Sequence, residues 1–347
     1  MGEKILVTGG TGYIGSHTAV ELINSGYEVI IVDNLSNSRE DVLEGIESIT
    51  GIKPIFEKFD LCDFNKLDTF FQKHQDIKAI IHFAASKAVG ESVVKPLKYY
   101  RNNIQSLTNM LELMGKYNIS NLAFSSSCTV YGQPEKLPVT EKSPILPAES
   151  PYGNTKQICE EIIRDSVHAI KSLNAISLRY FNPVGAHEST KLGELPLGIP
   201  ANLVPFITQT AAGLRKELSV FGNDYDTIDG SAVRDYIHVV DLAKAHVIAV
   251  ERMIQKKQKS NYEVFNLGTG NGYSVLEVIK AFEKSTGVKL NYKIVDRRAG
   301  DIEKVWADTT FANEELGWKA ELDLETMMSS SWKWQQFLME NKAKYLS

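Results

Sequence analysis

Three things are scarce in this chain: clustered positive charge, cysteine and long apolar runs. Among its 347 residues, 38 are Lys or Arg and 43 are Asp or Glu, for a net charge of −5. No segment has the concentrated basic charge that a nucleic-acid backbone demands. The densest basic run, Lys256-Lys257-Gln258-Lys259, fits a solvated helix end. Cys62, Cys128 and Cys159 have neither metal-ligand spacing nor the pattern of a disulfide framework, and read as reduced thiols. No apolar stretch approaches the roughly 20 residues that span a bilayer. A strand begins within a few residues of Met1, which leaves no room for a signal peptide. The expectation is a soluble cytoplasmic protein without a metal ion, a membrane or a nucleic-acid partner.

What is present alternates. Short, β-branched apolar runs at 4–8, 28–33, 54–60, 79–84, 121–127 and 175–180 read as strands. Helical patterns at 12–25, 63–74, 91–117 and 151–171 separate them. Such strands with helices between predict an α/β fold, a Rossmann-type doubly wound parallel sheet covered on both faces. Beyond residue 181 the texture changes. Residues 182–205 are rich in Gly, Pro and short polar residues, as in a binding lobe built of loops. A strand at 263–268 returns toward the main sheet, and amphipathic helices cover 274–286 and 324–340. The smaller C-terminal lobe is therefore interleaved, not linked. A dinucleotide domain takes 1–181 plus about 235–268, and a substrate lobe takes 182–234 and 269–347.

Gly9, Gly12 and Gly15 stand between the first strand and the first helix. Such glycines allow a tight turn, let backbone N–H groups approach a pyrophosphate and let the helix pack close to the sheet. Asp33 ends the next strand, where a carboxylate accepts from ribose hydroxyls and repels a 2′-phosphate. Asp33 with Asn34, Leu35, Ser36, Asn37 and Ser38 favours NAD over NADP; Arg39 is the residue there that argues the other way. Asp60 and Leu61 end the third strand, where the acid either reaches the adenine edge or is merely solvated. Phe83, Ala84, Ala85, Ser86 and Lys87 are mostly small, as backbone lying against a flat cofactor requires, whereas His82 reads as a packed strand histidine.

Ser150 and Pro151 read as the N-cap and first residue of a helix. Tyr152 and Lys156, four apart, then share one helix face. A phenol with an ordinary pKa of about 10 is a poor base near neutrality. A neighbouring ammonium, joined by a cationic nicotinamide, favours the phenolate. The pair becomes a base for a sugar or alcohol hydroxyl.

Longer strings sharpen the reading: GGTGYIGSHT (9–18), DNLSNS (33–38), KAVGES (87–92), SSSCTVYG (125–132), SPYGNTK (150–156), LRYFNPVGAH (178–187), FGNDY (221–225) and VRDYIHVVDLA (233–243). From about residue 4 to about 336 the chain resembles the extended short-chain dehydrogenase/reductase family, and within it the epimerases of UDP-galactose and UDP-glucose. That resemblance implies that Tyr13, Ile14, Asp33 to Ser38, Asp60, Leu61, Phe83 to Lys87, Asn102 and Phe181 line the NAD. It implies that Tyr152 accepts the proton, and that Lys156 holds the nicotinamide ribose and tunes Tyr152. Ser127 would bond the sugar 4-hydroxyl, to orient it or relay its proton. Lys87, Asn182, Asn202, Arg234, Arg298 and Asp301 would face the UDP-sugar, with Val220 and Phe221 near the uracil. Spacing alone does not separate Arg298 from its neighbour Arg297.

Two positions depart from the family pattern. Cys128 replaces the usual Ala, and Val305 stands where some relatives carry an aromatic that narrows the sugar pocket. The implied reaction oxidises the sugar at C4, lets the keto sugar turn, and reduces it on the other face. Val305 leaves room for an N-acetyl group at C2. A 4,6-dehydratase would need carboxylates after Thr129, where Val130 and Tyr131 stand. A simple dehydrogenase or a non-catalytic NAD-binding protein could also carry the glycine turn and the Tyr–Lys pair. The epimerase-like lobe opposes the first, and the intact Ser127, Tyr152 and Lys156 oppose the second. The resemblance implies a homodimer joined through two helices, for which 91–117 and 151–171 are the candidates; Ile158, Ile162 and Ile163 form either that seam or core.

Overall fold

The computed structural model describes residues 2–297 and 302–345. In chain order the first part runs β1 (Lys4–Thr8), α1 (Tyr13–Asn24), β2 (Glu28–Asp33), α2 (Val42–Thr50), β3 (Ile55–Lys58), α3 (Phe64–Lys73), β4 (Ile77–His82), α4 (Val89–Val94), α5 (Pro96–Lys116), β5 (Asn121–Ser127), α6 (Pro151–Ala169) and β6 (Asn174–Tyr180). Next come β7 (Asn182–Val184), α7 (Leu203–Ala211), β8 (Leu218–Phe221), β9 (Val233–His238), α8 (Val239–Ile254) and β10 (Tyr262–Leu267). The chain closes with β11 (Gly272–Ser274), α9 (Val275–Thr286), β12 (Tyr292–Val295), β13 (Lys304–Val305), α10 (Leu324–Glu340) and α11 (Lys342–Tyr345).

The main sheet has seven parallel strands in the order β10-β6-β5-β4-β1-β2-β3. Alternation along each strand divides its side chains between two cores. Ile5, Val7, Val29, Ile31, Ala79 and Ile81 pack beneath α1 and α8. Leu6, Ile30, Val32, Ile80, Leu122 and Phe124 pack beneath α3, α5 and α6. Both faces are covered, as expected of near-continuous apolar strands. A third core, with Ile207, Leu218, Tyr236, Ile279, Phe282 and Met328, joins α7, α9 and α10 to two small sheets: β11-β9-β13 with β7 on β9, and β12-β8.

Pro96 divides the helix expected over 91–117. Lys95 before it takes φ −132° and ψ 54°, so α4 ends and α5 begins with Pro at its first turn. Helix α8, which the sequence pattern did not single out, follows β9 without a loop, and the His238 ring caps it by accepting from the Val240 amide at 3.1 Å. Its Leu242, Ala245, Ala249 and Val250 are fully buried against the sheet. Ile163 is core, and not a seam.

Candidate active site

Strand β1 lies between β2 and β4, so successive connections leave it in opposite directions and open a crevice at the strands' C-terminal ends. Gly9 takes φ +67°, and a Cβ there would stand 2.8 Å from the Ala84 amide nitrogen. A Cβ on Gly15 would strike the Gly9 carbonyl oxygen. The turn and the helix are thus held together at a distance that only glycine allows. Helix α1 starts at Gly12 with no side-chain cap and no acid in its first turn, which leaves its N–H groups and positive dipole end available to a phosphate. A pyrophosphate fits this cradle.

Asp33 is built into the rim. It accepts from the amides of Leu35 (2.9 Å) and Thr11 (3.3 Å) and from the Ser38 hydroxyl (3.2 Å), while Thr11 and Ser38 share a 2.7 Å bond. Leu35 stands at φ +59°; Ser36 and Asn37 are exposed at the loop tip. Asn34 donates to Asp60 at 3.1 Å, so the Asp60 carboxylate is a strand-end partner. Leu61 is buried in the core under α3 and α5. Ile14 is half-buried, and Tyr13 donates to the Gly185 carbonyl at 2.6 Å, tying the start of α1 to the second lobe. Phe83 packs on His246, Ala84 meets the glycine turn, and Ala85 and Ser86 follow along the crevice. Asn103, which sequence reasoning missed, bonds the Ser86 amide and carbonyl (2.8 and 3.0 Å) and the Thr155 hydroxyl (3.0 Å), and accepts from Asn102. It fastens the loop after β4 to the catalytic helix.

Ser150 caps α6 as its sequence predicts, accepting from the Gly153 amide at 3.1 Å. Tyr152 and Lys156 are both buried on that helix, and Ser127 ends β5 facing them. Lys156 Nζ donates to the Ser125 carbonyl at 2.5 Å and lies 5.9 Å from the centre of the Tyr152 ring. Burial lowers Lys156 to about 8. The expected depression of the phenol is not supplied by the protein's own groups. Burial raises Tyr152 well above its ordinary value, and a Ser127 hydrogen bond only partly opposes that. A cationic nicotinamide bound beside the phenol would oppose that shift. Cys128, next to Ser127, is pushed up to about 12 by burial and stays a neutral thiol.

The remaining candidates belong to the second lobe. Asn182 pairs with Tyr236, and Val305 lies opposite Arg234 in the small sheet. Arg234 donates to the Val233 carbonyl at 2.8 Å. Asp235, also missed, is fully buried and accepts from the amides of Thr269 (2.8 Å), Gly270 (3.1 Å) and Ala307 (3.1 Å), which locks the strand carrying Val305. Val305 itself packs with Val130, Tyr131 and Phe181, with Cys128 alongside. Val220 lies on β8. Its side chain is core, because β8 alternates Leu218 and Val220 inward with Ser219 and Phe221 outward, so only its backbone can meet a base. Asn202 and Lys87 both reach Glu194, at 2.7 and 3.4 Å, a shared acid the sequence did not announce. Arg298 and Asp301 lie outside the described residues. Arg297 is taken up by Asp224 (2.6 Å) and by the Tyr225 ring (4.0 Å).

The GDP-mannose 4,6 dehydratase family pattern matches residues 6–331. A UDP-glucose 4-epimerase of Bacillus subtilis (strain 168) is 53% identical over 331 residues, covering 95% of this chain and 96% of that protein. The chain belongs to the UDP-glucose 4-epimerases of the extended short-chain dehydrogenase/reductase family. Solved members of that family superpose closely. The Stenotrophomonas maltophila UDP-glucose-4-epimerase, with bound NAD and formylated UDP-arabinopyranose, gives a TM-score of 0.94 at 47% identity, over 98% of this chain and 99% of its own. The Bifidobacterium longum enzyme, in complex with NAD+ and UDP, gives 0.92 at 50% identity over 96% and 98%. No helix among the described residues is long and apolar enough to cross a membrane.

Proposed function

We propose that this protein interconverts UDP-galactose and UDP-glucose through a 4-keto sugar on a retained NAD. The observation that carries the reading is that Tyr152 and Lys156 lie buried on one helix and Ser127 ends β5, in a sheet whose first strand leads into the glycine cradle. NAD, when bound, supplies a reversible two-electron acceptor for the sugar C4. The cradle from Gly9 to Gly15 holds its pyrophosphate and Asp33 its adenosine ribose.

Tyr152 takes the proton of the 4-hydroxyl and returns it after the sugar has turned. Ser127, beside the phenol at the end of β5, orients that hydroxyl. Lys156 places positive charge beneath the phenol and holds the nicotinamide ribose. General acid–base help of this kind is worth about 10²–10⁴-fold. Asn182, Asn202, Arg234, Arg298 and Asp301 hold the UDP portion, Phe221 lies by the uracil, and the hexose alone turns. Arginine suits the diphosphate because its fork makes paired charge-assisted bonds.

Residues 1–181 with 235–268 serve as the NAD-binding unit, and 182–234 with 269–347 as the substrate lobe. A cytoplasmic homodimer is part of the proposal. Val93 and Leu97, 60% and 72% exposed on α4 and α5, offer an apolar contact face there. Dehydration at C6 is disfavoured because Val130 and Tyr131, both fully buried, occupy the turn where elimination would need acid and base.

The test is to give purified protein UDP-galactose without added NAD and follow UDP-glucose. Conversion should proceed, disappear after the NAD is stripped, and return when NAD is added. Full activity in NAD-free protein would overturn the reading, and net NADH release would point to a dehydrogenase.

A further inference from the structure

Arg39 follows Ser38 directly, at the end of the loop that frames Asp33, where a guanidinium has an evident target in a nucleotide phosphate. It is turned elsewhere. Its Nε and Nη2 donate to the two carboxylate oxygens of Asp41 at 3.2 and 2.9 Å. Nη2 also donates to the backbone carbonyl of Lys344, 305 residues away, at 2.7 Å. The guanidinium carbon stands 5.6 Å from the centre of the Tyr345 ring. Asp41 is only 14% exposed, so the pair is sheltered from solvent on one side.

The turn that receives Arg39 is itself anchored in the second lobe. Tyr345 packs on Trp334 and Phe337 of α10, with ring centres 6.2 and 5.8 Å away. Trp334 in turn donates from Nε1 to the Glu194 carbonyl at 2.9 Å, in the segment that meets Lys87 and Asn202. A continuous set of contacts therefore joins the loop beyond Asp33 to the substrate lobe.

We propose that the 342–345 turn is a brace for this loop: by holding Arg39 it fixes the position of Ser38 and Asp33, and so sets how tightly the dinucleotide is retained. The inference rests on Asp33 to Ser38 being the adenosine-ribose loop. Ser36 and Asn37 are exposed, and the hydrogen bonds that shape the loop are short-range ones among Asp33, Asn34, Leu35, Ser36 and Ser38, with Thr11 and Asp60 as the outside partners. Such a segment has low local stability. If it is loose, cofactor binding must order it and loses affinity accordingly. Arg39 and Tyr345 supply that order beforehand. Tyr345 works through its ring face, so its hydroxyl is dispensable.

The experiment compares NAD release from purified holoprotein of wild type, R39A, Y345A and Y345F, trapping freed NAD with an NAD-consuming dehydrogenase. R39A and Y345A should release NAD about tenfold faster, in line with loss of a cation–π contact and a charge-assisted bond. Y345F should release it at the wild-type rate. With NAD saturating, all three should keep the wild-type kcat and the wild-type KM for UDP-galactose. Unchanged release in R39A and Y345A would overturn the brace. So would a faster release in Y345F equal to that in Y345A. Wild-type protein that holds no NAD would instead overturn the functional reading on which the brace rests.

Discussion

Arg179 on β6 and Glu160 on α6 form a two-pronged ion pair inside the molecule: Nε to Oε1 at 2.9 Å and Nη2 to Oε2 at 2.5 Å, each side chain 7% exposed. Ser126 donates to the same carboxylate at 2.5 Å, and Arg179 Nη1 donates to the Tyr131 hydroxyl at 2.9 Å. Tyr131 then donates to Asn266 on β10 at 2.7 Å. The pair thus ties the helix that carries Tyr152 and Lys156 to β6, and the Ser126 bond to the same carboxylate ties that helix to β5, the strand that ends in Ser127.

Removing one member leaves a buried charge without its counterpart. Glu160→Ala should cost about 3–5 kcal/mol of folding stability, read from the denaturant midpoint of the holoprotein. A loss below about 1 kcal/mol, the ordinary value of an exposed pair, would show that water relaxes around Arg179.

Tyr152→Phe deletes only the oxygen that exchanges the proton. Turnover should fall more than tenfold, a barrier increase above about 1.4 kcal/mol, while bound NAD and the unfolding midpoint stay near wild type. Retention of a tenth or more of the activity would remove Tyr152 from the role of base.

Gly9→Ala must place a Cβ against the Ala84 amide at a φ of +67°. The turn then either opens or loses its approach to the phosphate, and the purified protein should carry little NAD. Full NAD occupancy in this variant would mean that the pyrophosphate is held elsewhere.

Val305→Tyr tests the sugar range. Val305 is 4% exposed and packs with Phe181 and Tyr131, so a larger ring must take space from its surroundings, which the family resemblance puts beside the sugar C2. Wild type should interconvert UDP-N-acetylglucosamine and UDP-N-acetylgalactosamine as well, and the variant should lose that reaction while sparing UDP-galactose. Equal losses on both sugars would place the size limit at another wall.

Acid should weaken the fold through its buried histidines. Burial lowers His17 and His82 to about 3 and His238 and His246 to about 4. The unfolded chain takes up protons near the ordinary value of about 6.5, so it binds more of them than the native state in the window below. Each histidine then removes up to about 1.4 kcal/mol per pH unit as pH falls from 6.5 toward its folded value. Denaturant midpoints at pH 7 and pH 5.5 measure this, and equal midpoints would contradict it.

Local spacing made much of this protein readable from its residues alone. The glycine turn between β1 and α1, Asp33 at the end of β2, the Ser150 cap and the four-residue step from Tyr152 to Lys156 are all short-range patterns. Backbone sterics and helix periodicity translate such patterns directly into geometry. The doubly wound sheet was legible for the same reason, since apolar runs and helical periods alternate along the first half. What depended on distant partners was not. Asn103 reaches Thr155 across 52 residues, Glu194 gathers Lys87 from 107 away, and Asp235 gathers Ala307 from 72 away. No local pattern marks an Asn, a Glu or an Asp for such work. The inward face of Val220 was fixed by which side of β8 the third core covers. The direction of the Tyr152 shift was likewise tertiary, because desolvation depends on everything packed around the phenol, and Lys156 spends its ammonium on the Ser125 carbonyl. Sequence sets which groups can meet within a turn or two of chain; only packing decides which of them are dry, and dryness governs their charge.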